Sequence, residues 1–415
     1  HYSTDLDYES TTALSLNGAA IKDAEGNTAV LTLPAVGTLA AARNIVIDGV
    51  APAAFQVGSV VTNTAAVVAG YWNIANTAID VEIPIANDVS LSPVAGDGKV
   101  YIQAKTGANA FATIKTDDIA TGEVNTTKTV NVAAAALEAI ADFGDVGETV
   151  TFTAILEDLA GGPGGTGNKT TGTESGTTLV IDQVAPVAFR VGAVTTITEP
   201  VVAGKWNMHN TAVSVVVPIT DEASVIIGTT TKLATGGTVQ VIAKTADGNY
   251  ENIGDPVTIA AGDLGGNITV TISALILEAI DTAVIDGDVI TFNAIITDKA
   301  GNPTTGTSSA TTLTVDQTPP EVDEVTSDAA DGDDNAYKVG ATVEIKVSFD
   351  EIVNIVTDNG TPSLQLDTDN NPGSVLSEAI YNKDTGSKFP IFLLTVATNN
   401  YAKYLNYRAT TSLVL

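Results

Sequence analysis

Apolar and polar residues alternate with a period of two in several short stretches of this chain. The alternation is clear over residues 150–156 and 290–296, and cleanest over residues 343–349, where Val, Ile, Val and Phe share one face. Such alternation is typical of β-strands with one buried face. Turn residues separate these stretches, without the alternating helices of a parallel sheet. The pattern therefore predicts an all-β fold built of antiparallel β-sandwiches.

The predicted secondary structure is less clear in two regions. Residues 133–140 (Ala-Ala-Ala-Ala-Leu-Glu-Ala-Ile) and their counterpart at 272–280 fit either a helix or a strand that runs into one helical turn. Near the start of the chain, residues 6–8, 13–16 and 29–33 have the composition of short strands, with turns between them. Fewer than about 50 residues without a disulfide make a poor independent core, so this region is expected to be the back half of a domain.

A short motif recurs at a constant spacing. An apolar run, an Asp and then a Pro occur around Asp48, Asp182 and Asp316, and 182 − 48 = 316 − 182 = 134. A fixed period of this size indicates tandem domains. Because Pro cannot donate to a sheet ladder, each motif is interpreted as a last strand followed by a stiff linker. We call each junction between consecutive domains a seam.

The period predicts four segments. They are the C-terminal half of a domain at residues 1–48, complete repeats at 49–182 and 183–316, and the N-terminal part of a further domain at 317–415. Residues 404–415 match residues 5–16 at an offset of 399. Two explanations stay open for the incomplete segments. The chain is an excerpt of a longer array, or the first strands of one chain complete the last domain of a neighbouring chain in a head-to-tail fibre.

The composition of the chain argues against several classes of function. Lys and Arg total 18 against 49 Asp and Glu, a net charge of −31, which argues against a nucleic-acid partner. There is no Cys and there are only two His, so thiol chemistry and disulfides are excluded and imidazole chemistry has little basis. No run of about 18 apolar residues predicts a membrane-spanning helix. No nucleophile, phosphate-binding or zinc motif can be assembled, and we expect no enzymatic activity.

Several of these features together resemble the immunoglobulin-like repeats of large bacterial surface proteins, which include adhesins, biofilm proteins and S-layer-type proteins. The resemblance is carried by residues 298–302 (Asp-Lys-Ala-Gly-Asn), the weaker 23–27 (Asp-Ala-Glu-Gly-Asn), the seam at 315–320 and residues 7–14. It implies tandem immunoglobulin-like sandwiches in an elongated array, an extracellular or cell-surface location, a role as stalk, lattice unit or spacer, and calcium at the seams.

Calcium needs several oxygen ligands from converging loops. Each seam offers an Asp-x-x-Gly-Asn loop, the linker Asp and an acidic pair at the end of an early strand of the next domain. The first repeat departs from the loop pattern, because Gly161 and Gly162 follow Asp158 at the positions where Gly301 and Asn302 stand in the second. The candidate calcium ligands are Asp23, Asp48 and Asp88 at the first seam, Asp158, Asp182, Asp221 and Glu222 at the second, and Asp298, Asn302, Asp316, Asp350 and Glu351 at the third. The competing interpretation is that these residues only form turns.

Three other sequence features are weaker indications of a functional site. Trp72 and Trp206 keep the offset of 134 and are expected to pack in the core or at a seam. The acids between residues 328 and 334 are expected to form a solvated turn. Sequons at Asn125, Asn168, Asn267 and Asn359 could carry glycans.

The sequence therefore predicts an extracellular structural protein that forms a fibre, sheath or surface layer by self-association. The alternative is the spacer of a giant adhesin whose binding domain lies elsewhere.

Overall fold

A computed structural model describes residues 2–3, 5–43, 45–63, 68–86, 98–144, 146–160, 166–199, 201–221, 236–329, 336–368, 377–407 and 409–414. Its internal contacts divide the chain into two units, His1–Val315 and Asp316–Leu415. The first unit contains two separate hydrophobic cores, one drawn from residues 57–181 and one from residues 189–315. The candidate ligand Asp88 and the candidate ligand Glu222 lie outside the described residues, as do residues 330–334 of the acidic turn.

The regular structure of the chain up to residue 182 consists mainly of strands. They are β1 (Tyr2–Ser3), β2 (Ile47–Asp48), β3 (Val60–Thr62), β4 (Tyr71–Asn73), β5 (Ala78–Ile85), β6 (Gly98–Thr106), β7 (Ala112–Ile119), β8 (Thr126–Ala133), β9 (Val146–Glu157), β10 (Lys169–Thr171) and β11 (Leu179–Asp182). The helices here are α1 (Thr38–Ala42), α2 (Ala134–Leu137) and a 3₁₀ turn at Thr121–Glu123.

The first repeat is a two-layer sandwich. One sheet has the order β3-β5-β8, and the other has the order β4-β11-β9-β6-β7 with β10 beside β9. Alternate residues of β5 and β6 are buried, and both sheets contribute to one core around Trp72, Ile83 and Phe152. The period of two therefore directs one face of each strand inward.

The second repeat has the same architecture. Its strands are β12 (Val194–Thr196), β13 (Lys205–Asn207), β14 (Ala212–Pro218), β15 (Thr238–Lys244), β16 (Glu251–Asn252), β17 (Val257–Thr258), β18 (Asn267–Ser273), β19 (Val289–Thr297), β20 (Pro303–Thr305) and β21 (Leu313–Asp316). Its helices are α3 (Ala274–Leu277) and 3₁₀ turns at Ala261–Asp263 and Ile280–Thr282. The sheets run β12-β14-β18 and β13-β21-β19-β15-β16, with β17 and β20 added to β15 and β19.

The two stretches that fitted either a helix or a strand with a helical turn take the second form. Strand β8 runs directly into α2, and β18 runs directly into α3. Leu137 and Leu277 are buried at the ends of these turns. A single turn is enough to place these leucines in the core, because the preceding strand already lies in the sandwich.

The second unit is also all-β. Its strands are β22 (Val322–Thr326), β23 (Thr342–Phe349), β24 (Ser363–Asp367), β25 (Ser377–Lys383), β26 (Ile391–Thr395), β27 (Asn406–Tyr407) and β28 (Leu413–Val414). They form the order β22-β23-β26-β25-β24-β27, with β28 beside β24. A small core includes Val347, Leu366 and Phe392.

The first 48 residues do not form the strands that their composition predicts. Strands β1 and β2 pair with each other, whereas residues 6–8, 13–16 and 29–33 have no regular structure. Among the described residues from 5 to 48 none is buried. Strand composition alone does not form a ladder, because each strand needs a neighbouring edge and an apolar face to cover.

The protein thus has an all-β fold of largely antiparallel β-sandwiches, as the alternation predicted, although β4 and β11 pair in parallel. Both complete repeats place seven or more strands in two facing sheets, counted over the described residues. In the part of the chain that the structure describes, no helix is long and apolar enough to cross a membrane.

Candidate functional site at the joint between two repeats

The loop between β19 and β20 closes on itself through one carboxylate. The Asn302 N–H donates to Asp298 Oδ1 at 2.8 Å, and Asn302 Nδ2 donates to Asp298 Oδ2 at 2.8 Å. Gly301 has φ = +95°, a left-handed conformation that Gly adopts without strain. The Asp-x-x-Gly-Asn sequence therefore specifies a compact loop, which we call the latch loop (residues 298–302).

The latch loop joins three parts of the chain. Asn302 Nδ2 also donates to the backbone oxygen of Asp182, in the linker, at 3.0 Å. Asn302 Oδ1 accepts from the N–H of Ile74, in the first repeat, at 2.9 Å. The Ala300 oxygen accepts from Asn73 Nδ2 at 2.8 Å. One amide side chain thus connects its own loop, the linker and the preceding domain.

This joint is shielded from solvent. Asn302, Ala300 and Asn73 are 0% exposed, and Asp298 is 4% exposed. Burial raises the pKa of Asp298, although hydrogen bonds from Asn302 and from the loop backbone oppose that shift. Polar groups buried in this way are costly to leave unpaired, so the contact depends on all of its bonds being made.

Residues 73–76 of the first repeat form the surface that the latch loop meets. The Asn73 N–H donates to Asn76 Oδ1 at 2.8 Å, and the Ala75 N–H donates to Asn73 Oδ1 at 3.0 Å. These bonds hold the Asn73 side chain with its amide nitrogen toward Ala300. We call residues 73–76 the receiving turn.

The first repeat has a related loop with a different length. Asn168 donates through its N–H to Asp158 Oδ1 at 2.7 Å, and its Nδ2 donates to Asp158 Oδ2 at 2.9 Å and to the Asp48 oxygen at 3.2 Å. Gly167 lies so close that a Cβ there would be 1.9 Å from the Asp158 oxygen. The pairing with Asp48 repeats the pairing of Asn302 with Asp182.

From the sequence, Asn168 is identified only as a glycan sequon, not as a contact residue, and Asn73 is not identified at all. For Asn168 a signal existed, because 302 − 168 = 134, the period of the repeat. The extra Gly-rich residues after Asp158 obscured it, since the Asp-to-Asn spacing changes from four residues to ten. Asn73 repeats at Asn207 with the same period, but only the docked loop identifies it as a contact residue.

The structure regroups the predicted ligands. Asp158 was placed with Asp182, yet Asp182 pairs with Val146 at the start of β9, whereas Asp158 follows its end. The distance is 158 − 146 = 12 residues, which at about 3.3 Å per residue is roughly 40 Å. The grouping of these two residues at one seam is therefore wrong, because each loop lies at the end of the sandwich where the chain enters its own domain.

The same holds for the second repeat. The chain leaves it at Val315, which bonds to Asp288 at the start of β19, whereas Asp298 follows the end of β19. Asp298 and Asn302 therefore belong to the seam at Asp182, not to the one that follows β21. Strand direction decides this, because β19 and β21 are antiparallel.

The remaining candidates lie in loops or at the ends of strands. Asp48 Oδ1 accepts from the Val50 N–H at 3.0 Å, and Asp182 Oδ1 accepts from the Val184 N–H at 3.2 Å. Asp23 accepts from both nitrogens of Asn27, which lower its pKa. In the second unit, Asp350 Oδ1 accepts from the Glu321 N–H at 2.8 Å. Asp221 is exposed, Glu351 is half-buried and Asp316 ends β21.

No group of three or more Asp, Glu, His or Cys among the described residues is arranged to hold a metal ion. At the joint itself, Asp298 is surrounded by N–H donors, which occupy its lone pairs. What the arrangement can do chemically is fix one domain to another, because it combines directional bonds with exclusion of water.

The two tryptophans support the same arrangement. Trp72 and Trp206 are 0% exposed, and their Nε1 atoms donate to Glu138 at 3.1 Å and to Glu278 at 3.0 Å. Glu138 also accepts from Gln183 Nε2, in the linker, at 2.7 Å. Trp72 and Trp206 thus pack in the two cores, one of the two placements that their common offset of 134 predicted.

No protein-family model matches the sequence, and the curated proteins contain no significant match. Among solved structures, the FN1–FN3 domains of chicken CNTN1 align at 12% identity over 84% of this chain and 95% of that chain, with a TM-score of 0.20.

Two further structures align over less of the chain. The receptor tyrosine kinase Torso aligns at 7% identity over 62% of this chain and 76% of that chain, with a TM-score of 0.16. The purple acid phosphatase PPD1 of yellow lupin aligns at 11% identity over 61% of this chain and 40% of that chain, with a TM-score of 0.18.

Proposed function

We propose that this chain is an extracellular structural protein whose immunoglobulin-like repeats build a fibre, sheath or surface layer. The observation that carries the proposal is the buried joint around Asn302, which ties a loop, a linker and the preceding domain together. Domains joined by flexible linkers would not need such a contact. A joint of this kind transmits force and orientation from one repeat to the next, as a structural array requires.

Three other features support the proposal. The loop-to-linker contact recurs in the first repeat at Asn168 and Asp48. The net charge of −31 argues against nucleic acid as a partner. The composition, rich in Thr, Val, Ala and Gly and free of Cys, is typical of bacterial and archaeal surface proteins.

A second candidate is a spacer in a giant adhesin, which the same joint favours. Stiff tandem repeats hold a binding domain away from a cell surface without any contact between chains. The two functions differ in self-association, which only the first requires.

Sedimentation velocity and negative-stain electron microscopy over a series of protein concentrations test the proposal. We expect the sedimentation coefficient to rise with concentration and ordered filaments or sheets to form. Because the chain is strongly acidic, added salt should promote assembly by screening repulsion. A monomer at every concentration and salt level would overturn the fibre proposal in favour of the spacer.

A further inference from the structure

One edge of the first repeat is a continuous strand. Strand β7 is the last strand in the order β4-β11-β9-β6-β7, and in the part of the chain that the structure describes it pairs only with β6. Five of its eight residues are exposed, so this edge is open to solvent. The backbone groups on the side away from β6 can therefore receive a further strand.

The second repeat closes the equivalent edge. At an offset of 139, β7 corresponds to residues 251–258, which form the two short strands β16 and β17 instead of one long strand. Between them Gly254 has φ = +70°, and Pro256 has no N–H to donate. Gln240 Nε2 fills the gap, because it donates to the Ile253 and Gly254 oxygens at 3.3 and 3.1 Å. Of the two repeats, only the first offers this edge among the described residues.

An acidic group at the open edge lacks one cation. Lys128 is buried, and its Nζ lies 2.7 Å from Glu123 Oε1 and 3.3 Å from Asp117 Oδ2. Because two carboxylates share one ammonium, the group has a net charge of −1. The Asp117 side chain is 41% exposed, so it can accept a second cation from the solvent side.

Strand β7 also carries an unpaired cation on the same face. Lys115 is exposed and makes no ion pair in the described part of the chain. Lys115 and Asp117 pair with Ile102 and Val100 of β6, which are both buried. Residues that pair across a ladder share a face of the sheet, so Lys115 and Asp117 both project from the core-facing side of β7.

These charges restrict how β7 could pair with β7 of a second copy. Such an antiparallel pair is symmetric, so one residue faces its own copy. The ladder with β6 shifts at Ile114, which leaves 115–119 as the regular part of the edge. Centring on Lys115, Asp117 or Asp118 places like charges directly opposite each other, which is destabilising. Centring on the last residue pairs only that residue of the regular part.

We propose that β7 pairs with β7 of a second copy in the register centred on Thr116. Lys115 of each copy then lies opposite Asp117 of the other copy, and it supplies the cation that the group around Lys128 lacks. The two-fold contact closes on itself, so it joins two chains side by side. This inference rests on the proposed function, because a sheath or surface layer needs lateral contacts and this contact is one of them.

The two-fold axis allows a direct test, because the chain has no Cys. With Thr116 opposite its own copy, the two Cα atoms are about 4.5–5.5 Å apart, within reach of a disulfide. The control is Asp118→Cys, on the same face of β7, whose two copies would be about 13 Å apart and out of reach. We expect oxidation to give a disulfide-linked dimer of Thr116→Cys on non-reducing gels, and none of Asp118→Cys.

A charge reversal tests the two ion pairs. Lys115→Glu, added to Thr116→Cys, replaces two attractive pairs with two repulsive ones. We expect the initial rate of disulfide formation to fall about tenfold, which corresponds to about 1.4 kcal/mol, and the difference to shrink at high salt. Because Lys115 is exposed, an unchanged melting temperature will show that the variant folds.

The outcomes separate the inference from the proposed function. Equal disulfide rates at positions 116 and 118, or no effect of Lys115→Glu, would overturn the contact. Wild-type chains that still polymerise in sedimentation would then keep the structural function with another contact, and chains that stay monomeric would overturn both. A Thr116→Cys disulfide in chains that assemble no further than dimers would support the contact and overturn the fibre proposal.

Discussion

At the scale of single residues, the amide of Asn302 contributes most to the joint. It satisfies Asp298, the linker oxygen of Asp182 and the Ile74 N–H at the same time. We expect Asn302→Ala to lower the free energy of unfolding by about 2–3 kcal/mol, since it leaves buried polar groups unpaired. Urea denaturation of the monomeric chain measures this.

The chain offers a matched control for this substitution. Asn27 makes the same internal bonds in an exposed loop, so Asn27→Ala should change stability by no more than about 0.5 kcal/mol in the monomer. Equal losses in the two variants would mean that the internal loop bonds matter and that the contact between domains does not.

Tyr101 gives a residue-scale prediction about pH. Its hydroxyl donates to Glu157, which raises the pKa of Tyr101 to about 12. The stabilisation from this bond is complete below about pH 10, the pKa of an unperturbed Tyr, and is lost as the pH rises through the folded-state pKa. Spectrophotometric titration should show one tyrosine shifting back toward 10 in Glu157→Gln. Tyr101→Phe should remove that transition, and an unshifted titration in Glu157→Gln would contradict the assignment.

At the scale of elements, one glycine in each repeat allows a close contact between two segments. The segment that precedes the first strand of the repeat packs against the residues that follow β10 or β20. Gly306 follows β20, and a Cβ there would lie 2.5 Å from Phe189 Cε2. Thr307 and Phe189 are also bonded through their backbones. The first repeat has the same arrangement at Gly172 and Phe55, again with 2.5 Å.

Gly306→Ala should therefore destabilise the second repeat by about 1–3 kcal/mol, because a methyl group overpacks the site. Gly176→Ala is the control, because a Cβ there meets nothing within 4 Å. Thermal unfolding of both variants measures the difference. Equal melting temperatures would show that the Phe189 ring moves aside without cost.

The strands also show which parts of the fold can be predicted from local sequence patterns. Alternation identified residues 150–156, 290–296 and 343–349, and these lie within β9, β19 and β23. Alternation is local, so sequence alone is sufficient to find such strands. The strand-like pieces before residue 48 failed because a strand also needs a partner edge, which composition does not supply.

At the scale of the whole molecule, calcium at the seams stays a prediction. We expect the melting temperature to rise by several degrees when chelator is replaced by millimolar calcium, since a tenfold excess of ion over its Kd stabilises by about 1.4 kcal/mol per site. An unchanged melting temperature would contradict this prediction and would leave the seams held by hydrogen bonds such as those to Asp298. Magnesium at equal concentration controls for screening of the acidic chain.

The sequence by itself determined the fold class, the period of 134 residues and the loops that carry Asp298 and Asn302. These follow from local alternation, turn chemistry and repetition, which are properties of neighbouring residues. Only the tertiary structure decided which loop meets which linker. The end of a sandwich at which a loop lies depends on strand direction over roughly 30–40 Å. For this reason the loop of Asp298 meets Asp182, through Asn302, and the loop of Asp158 does not. Asn73 became a contact residue for the same reason, because only the packing of one domain on the next buries it.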